Sequence, residues 1–139
     1  MEIPSANGIG TSTALAKLYS ILATTGELDG QVLLKPDTIT KMREQVTSGK
    51  DVVMGDYVAS QFTAGGFFTG CEWVNSDGRP LFGTYDLEGR GCQTTLADRE
   101  GELAFCYLTN GHKFDPEDHR ASDLVTAAYM CTDKLEVEM

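Results

Sequence analysis

In the run STALAKLYSILATTG (residues 12–26) the apolar positions Leu15, Leu18, Tyr19 and Leu22 fall at i, i+3, i+4 and i+7. That spacing predicts an amphipathic helix with those four side chains facing inward. Thr11 or Ser12 can cap its first N–H groups, and Gly26 offers a left-handed exit at its end. ELDGQVLL predicts a turn at Asp29-Gly30 followed by a short extended piece. Pro36 then opens a second helix, with Asp37 suited to its first turn and Ile39, Met42 and Val46 directed inward; TSGKD ends it.

Beyond residue 50 the periodicity changes. Glycines and aromatics in FTAGGFFTG precede an SDG turn, and then CQTTLA and ELAFCYLTN flank DREG. Alternation with β-branched and aromatic residues between turn signals predicts antiparallel strands, most clearly a hairpin of 92–98 with 102–109. After the polar loop GHKFDPEDH comes a last helix with Leu124, Val125, Ala128 and Tyr129 on one side. The expected organisation is helical over 1–50, antiparallel strands over 51–110, and a loop and helix over 111–139. This is an α+β class in which one antiparallel sheet carries flanking helices.

Composition narrows the partners. The 139 residues are 41% apolar, enough for one core, and 21 acidic against 11 basic residues give a net charge of −10. Nucleic acid and anionic membrane surfaces would repel such a chain, so neither is expected as a partner. No apolar run approaches the about 20 residues of a membrane helix, and the first residues lack a signal-peptide layout. Cys71, Cys92, Cys106 and Cys131 form no C-x-x-C pair and are expected to be reduced and mostly core, the usage of a cytoplasmic protein. His112 and His119 are the only histidines and fit no ligand spacing, so neither a metal nor another cofactor is expected.

Two stretches carry a family likeness. PSANGIGTSTALAKLYSILATTGELDGQVLLKPDTITKM resembles the helical segment late in the serine β-lactamase-related family, which includes class C β-lactamases, D-alanyl-D-alanine carboxypeptidases, family VIII esterases and the animal β-lactamase-like proteins. GRGCQTTLADREGELAFCYLTNG resembles that family's closing hairpin, with a G-x-G-G-Q-like turn, an Ala-Asp before the bend and a strand ending in Thr-Asn-Gly. The resemblance implies an incomplete β-lactamase/transpeptidase-like domain, its C-terminal portion. It also implies serine hydrolase chemistry: a serine in S-x-x-K attacks an amide or ester carbonyl, a Y-x-N or S-x-N group relays the proton, and a K-T-G or H-x-G strand binds substrate.

The sequence departs from that pattern at the chemistry. It contains no S-x-x-K. The spellings Thr38 to Lys41 and Thr47 to Lys50 fall where nothing in the family is catalytic, and chance is the better account of them. Ser5-Ala6-Asn7 spells S-x-N, but its segment matches the family's helix-launching loop, which follows the true motif. Carried over from the turn at GRGCQ, the substrate strand falls on Leu87, Gly89 and Gly91, with Leu87 where the family has His or Lys. A second alignment places Thr84 there. Asp86 and Glu88 would repel a substrate carboxylate, and Arg90 reads most simply as a solvated hairpin residue. No catalytic residue is assigned.

Three functional expectations follow. The first is a truncated or degenerate family member without hydrolase activity of its own, whose Phe62, Phe67, Phe68, Phe105 and Tyr107 are candidates for an uncovered apolar face. The second is a hydrolase of unusual layout, drawing on Ser60 or Ser122 with His112 or His119, although no G-x-S-x-G elbow supports it. The third is a binding or assembly role, in which an open sheet edge pairs with a partner chain or a second copy.

Overall fold

The computed structural model describes residues 8–52, 55–59, 62–67, 81–85, 93–111 and 118–138. Helix α1 (Ser12–Ala23) begins at Thr11, whose extended backbone leaves its Oγ1 to accept from the Ala14 N–H at 3.2 Å. Gly26 follows at φ +91, and its carbonyl accepts from the N–H groups of both Leu33 and Leu34. Between them lies a small hairpin, β1 (Glu27–Leu28) and β2 (Gln31–Val32), closed by Asp29 at φ 51 and Gly30 at φ 78. Two successive left-handed residues make the type I′ turn expected of Asp-Gly. Helix α2 (Pro36–Arg43) starts on the proline and carries Asp37 in its first turn.

The strands β3 (Lys50–Asp51), β4 (Gly55–Ala59), β5 (Leu81–Tyr85), β6 (Thr94–Asp98) and β7 (Leu103–Tyr107) precede helix α3 (Arg120–Glu138). Helices and antiparallel strands together give the expected α+β class, but one expectation is corrected. Among the described residues the strands form three antiparallel units, β1-β2, β3-β4 and β5-β6-β7, rather than one sheet. β1 and β2 are two residues long, and β3 shifts register against β4 between Lys50 and Asp51, so neither pair propagates a ladder.

The sheet β5-β6-β7 is packed on both faces, because its side chains alternate. Ala97 lies opposite Ala104, and these small residues admit Tyr19, Leu22 and Ala23 of α1, with Leu34, Met42 and Phe67 around them. Phe67 meets Tyr19 edge to face, with ring centroids 6.0 Å apart. On the other face Leu96 lies opposite Phe105, where Val125 and Tyr129 of α3 cover them. Phe67 and Phe105 are therefore half-buried against the two core clusters, whereas Phe62 is exposed; Tyr107 is half-buried, and Phe68 lies outside the described residues.

Three helical stripes are corrected by one position each. On α1, Leu18 is exposed, and the inward face is Tyr19, Leu22 and Ala23. α2 ends at Arg43, so Val46 lies beyond it and is exposed, its N–H bonded to the Phe62 carbonyl. On α3, Leu124 is exposed while Ala121 and Val125 are buried.

The β6–β7 hairpin keeps the expected position, with Asp98 opposite Leu103. Asp98 is fully buried. Its Oδ1 accepts from the N–H groups of Glu100 and Gly101, both at 3.1 Å, and its Oδ2 from the Tyr129 hydroxyl at 2.9 Å. One carboxylate thus shapes the turn and anchors α3.

Across the hairpin tip, Arg43 donates to Glu100 Oε1 at 2.6 Å. Partial burial pushes the Glu100 carboxyl up, but the Arg43 hydrogen bond and charge outweigh it, and its pKa falls below the ordinary 4.5. A carboxylate with a lowered folded pKa contributes above its unfolded value, and the contribution is lost as pH falls through the folded value. The pair is largely solvent-facing, so Glu100→Gln is expected to cost at most about 0.5 kcal/mol at pH 7 and nothing below the folded pKa. Denaturant midpoints of both proteins at neutral pH and at pH 3 measure the difference.

Candidate functional site

An open groove of about 800 Å³ lies where the start of α1 meets one end of the sheet, lined by Gly8–Ser12, Leu15, Gln93 and Leu108–Asn110. The hairpin explains why residues so far apart meet. Thr94 pairs with Tyr107, so Gln93 entering β6 and Leu108 leaving β7 sit at the same end of an antiparallel ladder. α1 packs across β6 and β7 and brings its first turn to that end.

The lining sets the chemistry available. Thr11 engages Ala14 through Oγ1 and Leu15 through its carbonyl, which leaves the N–H groups of Ser12 and Thr13 at the positive end of the helix. The carboxamides of Gln93 and Asn110 and the hydroxyls of Thr11 and Ser12 add donors and acceptors, and Ile9, Leu15 and Leu108 add apolar surface. Thr109 Oγ1 accepts from the Gly111 N–H at 3.0 Å, which fixes the backbone as it leaves β7. Among the described residues that line it, none has an ionisable side chain. These described groups can bind and orient a neutral carbonyl, amide or hydroxyl, and none of them is a base that could activate a nucleophile.

The segment leaving the groove is held from the other side. Arg120, at the start of α3, forks onto Asp118 with contacts of 2.6 to 2.9 Å and donates through Nη2 to the Gly111 carbonyl at 3.1 Å. Planar donation to a carboxylate and a carbonyl together ties α3 to the exit of β7.

The sequence candidates fare differently. Leu87, Gly89 and Gly91 lie outside the described residues, as do Asp86, Glu88, Arg90, Ser5, Asn7, Ser60, His112, Cys71 and Cys92. Thr84 lies on β5. Ser122 is not set up as a nucleophile on His119: its hydroxyl donates to the His119 backbone carbonyl at 2.9 Å, a helix-end contact. Thr38 is an exposed residue of α2, and Thr47 Oγ1 accepts from the Phe62 N–H at 2.9 Å, so neither T-x-x-K spelling faces the groove. Cys106 is half-buried on β7, with its thiol pKa raised by burial, which disfavours the reactive thiolate. Among the described residues no group of three or more His, Cys, Asp or Glu could hold a metal ion, and no helix is long and apolar enough to cross a membrane.

Gln93 and Asn110 belong to the quoted hairpin motifs, yet sequence reasoning did not mark them as lining. The usable signal was the antiparallel pairing of the predicted hairpin, which brings the start of 92–98 to the same end as the close of 102–109.

Comparison with known proteins places this geometry. No protein-family model matches the chain. The esterase/beta-lactamase LipL of Mycobacterium tuberculosis (strain ATCC 25618 / H37Rv) is 38% identical over 56 residues, which is 38% of this chain and 13% of LipL. A crystal structure of a family VIII carboxylesterase superposes with a TM-score of 0.70 and 28% identity, over 84% of this chain and 30% of that one. A penicillin-binding protein homologue from Caulobacter crescentus superposes with a TM-score of 0.76 and 29% identity, over 94% of this chain and 34% of that one. The chain therefore spans about a third of the length of these solved structures and a smaller part of the curated relative.

Proposed function

Because the chain belongs to the serine β-lactamase-related family over the part that it spans, we propose that it forms one wall of a serine hydrolase cleft and that the 139 residues have no hydrolase activity of their own. The groove at the start of α1 is the substrate-facing part of that wall. Its described lining carries the reading: hydrogen-bonding and apolar groups that can hold an ester or amide, with no ionisable side chain among the described residues to drive acyl transfer. The absence of S-x-x-K from the sequence agrees with it. Leu87, Gly89 and Gly91 are the further pocket positions in this proposal, assigned by the resemblance of GRGCQ and the residues before it to the family's substrate strand.

The test is a fluorophosphonate labelling gel on the 139-residue protein, with hydrolysis of p-nitrophenyl butyrate and a chromogenic cephalosporin in parallel. Neither labelling nor turnover above the background rate is expected. A stoichiometric adduct mapped to one serine would overturn the proposal.

The relatives' greater length favours a second reading, in which the same residues line a working site within a longer polypeptide. Intact mass of the native protein and the position of any fluorophosphonate adduct separate the two. A longer protein labelled at a serine in S-x-x-K would make this chain the pocket wall of an active enzyme.

A further inference from the structure

Asn110 lines the groove from a stretch that has already left the ladder, which ends where Tyr107 pairs with Thr94. The next residue is held by both of its main-chain groups. The Gly111 N–H donates to Thr109 Oγ1 at 3.0 Å, and its carbonyl accepts from Arg120 Nη2 at 3.1 Å. The first contact is local and moves with the segment; the second ties the segment to α3. Arg120 is itself fixed, because Nε and Nη2 bond both oxygens of Asp118, whose side chain is only 3% exposed. Asp118 Oδ1 also accepts from the Arg120 N–H at 3.4 Å. Val125 and Tyr129 seat α3 on the sheet. The guanidinium thus carries the position of the sheet, through α3, to the lip of the groove.

We propose that Arg120 is a positioning residue of the groove. It fixes the backbone at Gly111 so that the Asn110 carboxamide is held ready for a neutral amide or ester, and Asp118 engages its charge. This rests on the reading of the groove as substrate-facing. Asn110 is the group through which the effect passes: it adjoins Gly111, and among the described residues its carboxamide makes no hydrogen bond within the chain. Such a group offers a ligand both a donor and an acceptor. Holding its backbone in place before binding removes part of the ordering cost that binding would otherwise carry. A planar guanidinium suits the task, since it can fork onto the Asp118 carboxylate and reach the Gly111 carbonyl in one fixed plane, which an ammonium cannot do.

The test follows the Gln93 side-chain amide signals by nuclear magnetic resonance while N-methylbutyramide is added to the isotope-labelled 139-residue protein. Saturable shifts are expected. In Arg120→Lys, which keeps a charge beside Asp118 but loses the fork, the dissociation constant is expected to rise about fivefold, the worth of one neutral hydrogen bond. Asp118→Asn loosens the same fork from its other end and is expected to match it. In an Asn110→Ala background both losses are expected to vanish, because the residue through which Arg120 acts is gone; a merely structural role would weaken binding equally in both backgrounds. If the unaltered protein shows no saturable shift, the substrate-facing reading of the groove falls and the proposal falls with it. Unchanged affinity in both variants, or a loss that persists without Asn110, would overturn the positioning role and leave the groove reading standing. Loss of the native β6–β7 amide signals in both variants would also overturn it, since the clamp would then serve the fold alone.

Discussion

Asp98→Ala is expected to destabilise the protein by about 3 kcal/mol, a large effect for a turn residue. The carboxylate is fully buried and accepts three hydrogen bonds, two from the backbone of the turn and one from Tyr129. Hydrogen bonds to a charged group are each worth about 1.5–3 kcal/mol, and removing the acceptor leaves its buried donors unsatisfied. The alanine would also free the turn between β6 and β7, on which the pairing Asp98↔Leu103 depends. Tyr129→Phe removes one bond and leaves the turn intact, so a loss nearer about 1 kcal/mol is expected. Denaturant unfolding of the two single variants and the double variant decides the matter. If the double variant loses the full sum, the two residues are independent and the single-anchor account of Asp98 fails.

How legible these features were depended on whether their cause was local. The Asp29-Gly30 turn, the proline start of α2, the threonine cap of α1 and the β6–β7 hairpin were all readable, because each follows from a few adjacent residues. Leu18 and Leu124 differ from expectation because hydropathy spacing fixes a face only to within a residue, and packing on Ala97, Ala104 and Leu96 takes the neighbours instead; Val46 differs because α2 ends at Arg43. The single sheet was expected from strand signals alone, which carry no information on which strands join. Asp98 was visible only as part of an Ala-Asp motif. Its role rests on Tyr129, 31 residues away, and no spacing rule links the two. The groove is the same kind of case: each lining residue is unremarkable alone, and only the antiparallel ladder sets Gln93 beside Leu108 at the mouth of α1.

That dependence on long-range placement gives Gly26 an importance that its role as a helix exit understates. A Cβ built there would lie 2.0 Å from the Leu34 carbonyl oxygen and 3.2 Å from Ile39 Cδ1, and the residue is at φ +91. A left-handed backbone costs an L-residue about 1–2 kcal/mol, and forcing an atom into a packed site adds about 1–3 kcal/mol. The obstacle is a backbone oxygen, which cannot swing aside. Relief would require moving Leu33 and Leu34, whose N–H groups both bond to the Gly26 carbonyl. Leu34 packs against the Tyr19, Leu22 and Ala97 cluster, and Ile39 is fully buried, so the displacement would reach the face of the sheet that α1 covers. Gly26→Ala is therefore expected to lower stability by about 3–4 kcal/mol. Gly30→Ala is the informative comparison: Gly30 is at φ +78, but a Cβ there meets nothing within 4 Å, so only the about 1–2 kcal/mol backbone term remains. Equal losses for the two variants, measured by denaturant unfolding, would show that backbone conformation alone sets the requirement. A gap of about 2 kcal/mol would place the rest in the contact between Gly26 and Leu34, which holds the exit of α1 against the β1–β2 hairpin and α2.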